Sequence, residues 1–102
     1  MATTETSTAI REKLKVKIKK PSMFKVVFNN DDKTPMDFVI EVLMVIFHHD
    51  RKTAEAITEE VHVKGKGIAG VYTYEIAEQK MAETTAAARH NSFPLTVNVE
   101  PE

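Results

Sequence analysis

Apolar and polar residues follow one another along the chain in patterns that predict three β-strands. Residues 23–28 form a short run rich in β-branched and aromatic residues, which is typical of a buried strand. A second run of this kind covers 68–74, directly after a glycine. In the last segment Leu95, Val97 and Val99 alternate with polar residues, so one face of a third strand is expected to be buried.

Helical spacing predicts three helices, and the first of them follows the first strand. Thr34 is expected to be its N-cap, with Pro35 as the first helical residue and Asp37 completing a capping box, and the helix should continue to about His48. The residues expected on its buried face are Phe38, Val39, Val42, Leu43, Val45 and Ile46. Those expected on or near the opposite side are Asp37, Glu41 and Met44.

The second and third helices have clear start and stop signals. Asp50 is expected to cap a helix over 51–64 that Gly65 ends, and Thr73 to cap an Ala-rich helix over 74–90. The residues expected on one side of the second helix are Ala54, Ile57, Thr58, Val61 and His62. The resulting order predicts an α+β fold in which three helices pack on one face of a three-stranded antiparallel sheet.

The first twenty residues differ from the rest in composition. Residues 1–10 are small and polar and predict a disordered tail without a secretory signal. Residues 11–20 hold six of the fourteen basic residues, and lysines alternate there with Leu14, Val16 and Ile18. That pattern fits either an edge strand or an extended arm that pairs with another surface. We therefore expect a flexible extension over 1–20 and one domain over 21–102.

Composition excludes several classes of protein. The 102-residue chain has no cysteine, which excludes disulfides, thiol catalysis and cysteine-based zinc sites. Its net charge of -1 argues against binding nucleic acid through bulk charge, and the basic segment lacks interleaved aromatic residues. No apolar stretch approaches the length of a membrane span. We expect a cytoplasmic monomer that binds neither nucleic acid nor membranes.

The polar clusters do not favour an enzyme. His48 and His49 are adjacent, so they cannot converge on one metal ion, and we expect them, like His90, to face solvent or to lie at helix ends. The run Asn30-Asp31-Asp32 lacks the glycine and the distal glutamate of a calcium loop. Neither a nucleophile elbow nor a phosphate loop is present. We therefore expect no catalysis, metal or cofactor.

A binding site for a small group with both apolar and charged parts is better supported. Met36, Val39 and Leu95 are apolar residues at the starts of a helix and a strand, where they need not all belong to the core. An apolar hole beside the acid and amide groups of Asn30 and Asp31 would suit an apolar side chain next to a positive charge. The N-terminus of a protein is such a ligand.

Three sequence motifs resemble the ClpS family, the adaptors that hand N-degron substrates to Clp-type AAA+ unfoldases. They are NNDDKTPMDFVIEVL over 29–43, EVHVKGKGIAGVYTYEIAEQK over 60–80 and FPLTV over 93–97. The resemblance extends over about residues 21–100. It implies three helices against a three-stranded antiparallel sheet, in agreement with the order predicted from the hydrophobic pattern.

The resemblance also implies a set of binding residues. The α-amino group of a substrate would be bound by Asn30, Asp31 and His62, with Asp32 and Thr34 at the mouth of the pocket. The first side chain would enter a hole lined by Met36, Val39, Thr58, Val61 and Leu95. Met36 would turn away β-branched residues and admit Leu, Phe, Tyr and Trp. Glu75 and Lys80 would contact a ClpA- or ClpC-like unfoldase, and the extension before Pro21 would serve delivery.

Two positions depart from the family pattern. Thr58 stands where well-known members carry Met, which predicts a wider or more polar pocket floor and a changed ranking among Leu and the aromatic residues. Asn29 is polar where an apolar residue is common. An alternative hypothesis is a decoy or regulator that keeps this fold, binds the unfoldase and redirects its substrate choice without delivering N-degrons.

Overall fold

The structure, a computed structural model, describes residues 22–102. Its elements follow in the order β1 (Met23–Asn29), α1 (Met36–Val45), α2 (Arg51–Lys64), β2 (Lys66–Thr73), α3 (Tyr74–His90) and β3 (Thr96–Pro101). The predicted α+β order is confirmed, and the element ends are displaced by at most a few residues. The flexible extension predicted over 1–20 lies outside the described residues.

β1 is the central strand of a three-stranded sheet. It pairs antiparallel with β2 on one side and with β3 on the other. Its last residue, Asn29, lies opposite Lys66 of β2 and Thr96 of β3. The loop that follows β1 therefore leaves the sheet beside Gly65 and Leu95, the residues that directly precede those two partners.

The hydrophobic core lies between one face of the sheet and the helices. α3 packs against all three strands, α2 packs against β2, and α1 packs chiefly against α2. The ring of Phe28 meets that of Phe47 edge-on, with centroids 5.4 Å apart. The core residues with no exposed surface are Val26, Phe28, Leu43, Ala54, Ala69, Ala77 and Ala88. This burial confirms the prediction that the helices cover one face of an antiparallel sheet.

The start of α1 differs from the prediction. Thr34 is not the N-cap; Pro35 is, and its carbonyl oxygen accepts from the N–H of Phe38 at 3.1 Å. No side chain caps this helix end, so the capping box expected from Asp37 does not form. The reason is local, because the Thr34 hydroxyl donates to Asp31 in the preceding loop and is not available to the helix.

The end of α1 also differs. The helix stops at Val45, which is 65% exposed and not part of the predicted buried face. His48 has a left-handed backbone conformation with φ of 59° and is exposed, as expected. His49 is half-buried, and its Nε2 hydrogen-bonds with the carbonyl oxygen of Ala69, so it does not face solvent; it lies between the end of α1 and Asp50, the N-cap of α2. Met44, expected near the opposite side, is partly buried against the core.

α2 has the predicted bounds and the predicted caps. The Asp50 carboxylate accepts from the N–H of Thr53 at 3.0 Å. Gly65 ends the helix with φ of 88°, a conformation that glycine adopts without strain. A Cβ atom at Gly67 would lie 2.9 Å from Val61 Cγ2, so the missing side chain lets α2 approach β2 closely.

The inward face of α2 is narrower than predicted. Ala54, Thr58 and Val61 are buried, and Ile57 is partly buried against the core. His62 is exposed because it lies at the edge of this face. At the other end of the chain, α3 has the predicted bounds and the exposed His90 is its last residue. Thr73 is its N-cap, without a side-chain hydrogen bond.

Candidate functional site

The loop between β1 and α1 is built around the carboxylate of Asp31. Asp31 Oδ1 accepts from the backbone N–H groups of Lys33 at 2.8 Å and Thr34 at 2.7 Å, and Oδ2 accepts from the Thr34 hydroxyl at 2.8 Å. Asp and Asn side chains commonly hold turns in this way. The N–H of Asn30 donates to the carbonyl oxygen of Gly65 at 2.8 Å, which ties the loop to the end of α2.

These contacts determine the charge state of Asp31. Partial burial acts to raise the pKa of its carboxyl group. Hydrogen bonds from Thr34 and Lys33, with the positive charge of Arg89, outweigh burial and hold the pKa below its ordinary value. Asp31 is therefore a carboxylate at neutral pH, in an orientation fixed by the loop itself.

A cavity that is partly open to solvent adjoins this loop, and its free space is about 280 Å³ when the solvent-open part is included. It lies between the loop, α1, α2 and the start of β3. Its lining residues are Asn29, Asn30, Asp31, Thr34, Met36, Val39, Thr58, Val61, His62 and Leu95. The pocket is small, so it suits one amino-acid side chain better than a larger ligand.

The floor and walls of the cavity are buried and mainly apolar. Val39 comes from α1, Thr58 and Val61 come from α2, and Leu95 comes from the residue before β3. The hydroxyl of Thr58 donates to the carbonyl oxygen of Ala54 at 2.8 Å. The floor therefore holds a polar atom that already has its partner, which favours an apolar ligand group over a polar one.

The rim of the cavity combines polar and apolar groups. Asn30 and His62 are exposed beside the half-buried Asp31, and each can offer a hydrogen-bond acceptor at the rim. Met36 is 45% exposed and stands at the start of α1, where its flexible side chain borders the opening. An apolar interior beside a carboxylate can take up an apolar side chain that has a positive charge next to it.

The structure brings together nine of the ten residues that the resemblance implied for substrate binding. The exception is Asp32, which is exposed and does not line the cavity. The sequence pattern assigns no role to Asn29. It lines the cavity, and its Nδ2 donates to Thr96 O at 3.3 Å and Asn98 Oδ1 at 3.2 Å. Asn29 ends β1 and directly precedes Asn30 and Asp31, and this position in the sequence could have indicated that it lines the cavity.

The two residues implied for unfoldase contact have different surroundings on α3. Glu75 lies in the first turn and is exposed. Lys80 is half-buried, and its Nζ donates to the carbonyl oxygen of Ile46 at 2.6 Å, at the end of α1. The ammonium also lies 6.0 Å from the centre of the Phe47 ring and 5.7 Å from that of Tyr72. Lys80 therefore has a structural role in joining α3 to α1.

The fold and the cavity agree with a known family. A family model described as the ATP-dependent Clp protease adaptor protein ClpS matches residues 19–98. The chain belongs to the ClpS family. The Clp protease adapter protein ClpS of Shewanella halifaxensis is 47% identical over 100 residues, 98% of each chain. The ClpS adapter of Myxococcus xanthus is 43% identical over 98 residues, which cover 96% of this chain and 92% of the other.

A solved ClpS structure shares the fold. Agrobacterium tumefaciens ClpS2, bound to L-phenylalaninamide, superposes with a TM-score of 0.78 at 35% sequence identity. The match covers 80% of this chain and 99% of that one. The three helices and the antiparallel sheet of this ClpS family member are thus those of a ClpS adaptor.

Within 22–102, no three His, Asp or Glu side chains come together as metal ligands would. None of the helices in that part of the chain is long and apolar enough to cross a membrane.

Proposed function

We propose that this ClpS family member binds the free N-terminus of proteins that begin with Leu, Phe, Tyr or Trp. It would deliver them to a ClpA- or ClpC-like AAA+ unfoldase in the cytoplasm, as a monomer and without a cofactor. The observation that carries this proposal is the apolar cavity directly beside the ionised carboxylate of Asp31. An N-terminal residue of this kind has an α-ammonium group one bond from the carbon that bears its apolar side chain.

The polar rim supplies the partners of the α-ammonium group. Asp31 contributes a charge, and the side-chain carbonyl of Asn30 and a ring nitrogen of His62 contribute acceptors. An ammonium group has three donors, which matches three acceptors on one side of the cavity. Asp32, exposed outside the cavity, would act only through its charge near the mouth.

The energy required shows why both halves of the site are needed. Burying a Leu or Phe side chain contributes about 1.5–3 kcal/mol. A micromolar complex requires roughly 8 kcal/mol. Charge-assisted hydrogen bonds of about 1.5–3 kcal/mol each can supply much of the difference, provided that the acceptors are held in place beforehand. The hydrogen bonds that fix Asp31 within its loop meet that condition.

A ligand bound by a relative supports the same proposal. L-Phenylalaninamide, bound by A. tumefaciens ClpS2, carries a free α-amino group next to an aromatic side chain. Both parts match what this cavity offers. Met36 at the opening would admit only side chains that are unbranched at Cβ, because a second substituent on the ligand's Cβ atom would collide with the Met36 side chain.

The unfoldase would dock on the N-terminal part of α3. Glu75 is exposed there and free to form a contact with a partner. Lys80 would contribute mainly by holding α3 against α1 through Ile46, and only its remaining surface would reach the unfoldase. The extension over 1–20 would be needed for delivery and not for binding the N-terminus.

A panel of labelled peptides that differ only in residue one tests the binding. Fluorescence anisotropy would compare Leu, Phe, Tyr, Trp, Ile, Met and Lys starts. We expect tight, saturable binding only of the bulky residues that are unbranched at Cβ, and much weaker binding of other first residues. Comparable affinity for all starts would contradict the proposal.

Delivery needs a separate experiment. A reconstituted Clp unfoldase and peptidase would degrade a Phe-start fluorescent protein with the full chain or with a chain lacking 1–20. We expect faster degradation only with the full chain, and equal binding of the substrate by both. If the chain slows degradation and binds no N-terminus, the decoy hypothesis replaces the adaptor.

A further inference from the structure

The loop between α3 and β3 is held by one arginine that lies outside the cavity. Arg89 Nη1 donates to the carbonyl oxygen of Phe93 at 2.6 Å and to that of Leu95 at 3.0 Å. Leu95 is 1% exposed and forms one wall of the cavity. A single guanidinium group therefore contacts the backbone of a residue whose side chain lines the site.

The position of Leu95 in the sheet makes this contact important. Strand pairing between β1 and β3 begins with Thr96 opposite Asn29, one residue after Leu95. The backbone of Leu95 is thus not fixed by the ladder, and its carbonyl oxygen depends on another donor. Arg89 supplies that donor from the last turn of α3.

Other contacts hold the first half of the loop between α3 and β3. The N–H of Phe93 donates to the carbonyl oxygen of Ala88 at 2.8 Å, and Ser92 turns the chain with φ of 62°. The ring of Phe93 packs edge-on against Phe38, with centroids 4.9 Å apart. These contacts anchor the first half of the loop to α3 and α1, and the bond from Arg89 to the Leu95 carbonyl oxygen anchors the second half.

We propose that Arg89 is a positioning residue for the binding cavity, because its bonds to the Phe93 and Leu95 carbonyls place the Leu95 side chain against the ligand. This role rests on the proposed function of the cavity. The positive charge of Arg89 also acts on the carboxylate of Asp31. The bonds to the loop affect recognition of the ligand's side chain, whereas the charge affects recognition of its ammonium group. The two effects can therefore be measured separately.

The test compares the affinities of a Phe-start and an Ala-start peptide for four proteins. These are the wild type and the variants Arg89→Gln, Arg89→Lys and Arg51→Gln. Arg51 is a matched control because it is exposed, pairs with Glu55 at 3.8 Å and does not line the cavity. Circular dichroism establishes that each variant is folded at the assay temperature.

If Arg89 positions Leu95, Arg89→Gln lowers the Phe-to-Ala affinity ratio by about ten-fold. Arg89→Lys lowers it less, because an ammonium keeps the charge but lacks the planar donor geometry. Arg51→Gln leaves the ratio unchanged. An unchanged ratio in folded Arg89→Gln, or an equal loss of affinity for both peptides, overturns the proposal. If Arg89→Gln does not fold, the ratio for Arg89→Lys decides in the same way.

Failure of the proposed function has a different outcome. In that case the wild type binds neither peptide, and the position of Leu95 is tested without a ligand. Methyl resonances of Leu95 in Arg89→Lys should then shift relative to wild type and to Arg51→Gln. Unshifted Leu95 methyl resonances would overturn the proposal by themselves.

Discussion

The hydroxyl of Thr58 donates to the carbonyl oxygen of Ala54, one turn earlier in α2, at a distance of 2.8 Å. Thr58 is 3% exposed and lies on the floor of the cavity. Its polar atom is satisfied inside the helix, so a ligand need not supply a partner. Of the two alternatives predicted from the sequence, a wider floor or a more polar one, this geometry favours the wider floor.

Lengthening the side chain at this position should narrow the floor. In Thr58→Met the longer side chain would occupy space that a Trp ring requires more than a Leu side chain does. We expect the Trp-to-Leu affinity ratio to fall by about five- to ten-fold, which corresponds to about 1 kcal/mol of lost fit. Competition anisotropy with the two peptides measures the ratio.

The matched control at this position is Thr58→Val. It keeps the volume and removes only the hydroxyl, which contacts the backbone and not the ligand. We expect its Trp-to-Leu ratio to equal that of the wild type. If Thr58→Met also keeps the wild-type ratio, Thr58 does not touch the ligand and the assignment of the floor is wrong.

Shortening the Met36 side chain should let the cavity admit ligand side chains that are branched at Cβ. The side chain is 45% exposed at the opening, so its removal costs little stability. In Met36→Ala we expect Ile- and Val-start peptides to bind within about ten-fold of Leu, whereas the wild type should bind them far more weakly. Val45→Ala, at an exposed apolar position of the same helix outside the cavity, serves as the control. Continued rejection of Ile and Val by Met36→Ala would remove Met36 as the selective element.

The lowered pKa of Asp31 predicts a specific dependence of stability on pH. Its hydrogen bonds stabilise the folded state while the group is ionised, so this contribution is present above the ordinary carboxyl pKa, about 3.9. It is lost as the pH falls through the lower pKa of the folded state. In Asp31→Asn the group cannot ionise, so the difference in free energy of unfolding from wild type should shrink between about pH 5 and pH 2.

Urea unfolding of both proteins across this range measures that difference. Asp50→Asn is the comparison, because Asp50 has a lowered pKa through its bonds to Thr53 but lies outside the cavity. Both variants should show the trend in stability, and only Asp31→Asn should lose affinity for a Phe-start peptide at neutral pH. A stability difference for Asp31→Asn that stays constant with pH would contradict the account of the loop.

Lys80 and Glu75 should differ in how much they contribute to stability. Lys80→Met removes the bond to the Ile46 carbonyl, and we expect it to lower the free energy of unfolding by about 1 kcal/mol. Glu75→Gln changes an exposed side chain, so its stability should remain within about 0.5 kcal/mol of wild type. Thermal melts measure both. Equal stability of all three proteins would show that the contact between Lys80 and Ile46 contributes little.

Parts of this fold that depend on local signals could be predicted from the sequence. The bounds of α2 follow from Asp50 and Gly65, whose roles depend only on neighbouring residues. The end of α1 could not be predicted in this way. It depends on Lys80, distant in sequence, which bonds to Ile46, and on the left-handed turn at His48. The prediction of Thr34 as the N-cap of α1 is wrong because the Thr34 hydroxyl donates to Asp31 and not to the helix.

The residues of the candidate site could likewise be predicted only in part from the sequence. The motif around Asn30 and Asp31 and the one that contains His62 hold seven of the nine lining residues that the resemblance implied; Leu95 lies in the motif over 93–97, and Thr58 lies just before the second motif. The contact of Arg89 with Leu95 could not be predicted, because a surface arginine in a helix carries no local signal of the residues that it reaches. Only the folded chain shows that its guanidinium reaches Leu95.

Isothermal titration calorimetry of one peptide pair tests directly whether the cavity recognises the free α-amino group of a protein. The two peptides begin with Phe and differ only in acetylation of the α-amino group, and both are titrated into the full chain at neutral pH. We expect saturable binding of the free peptide and at least about 100-fold weaker binding of the acetylated one, because acetylation removes the charge that Asp31 recognises. Comparable affinity for the two peptides would show that the cavity does not recognise a protein N-terminus.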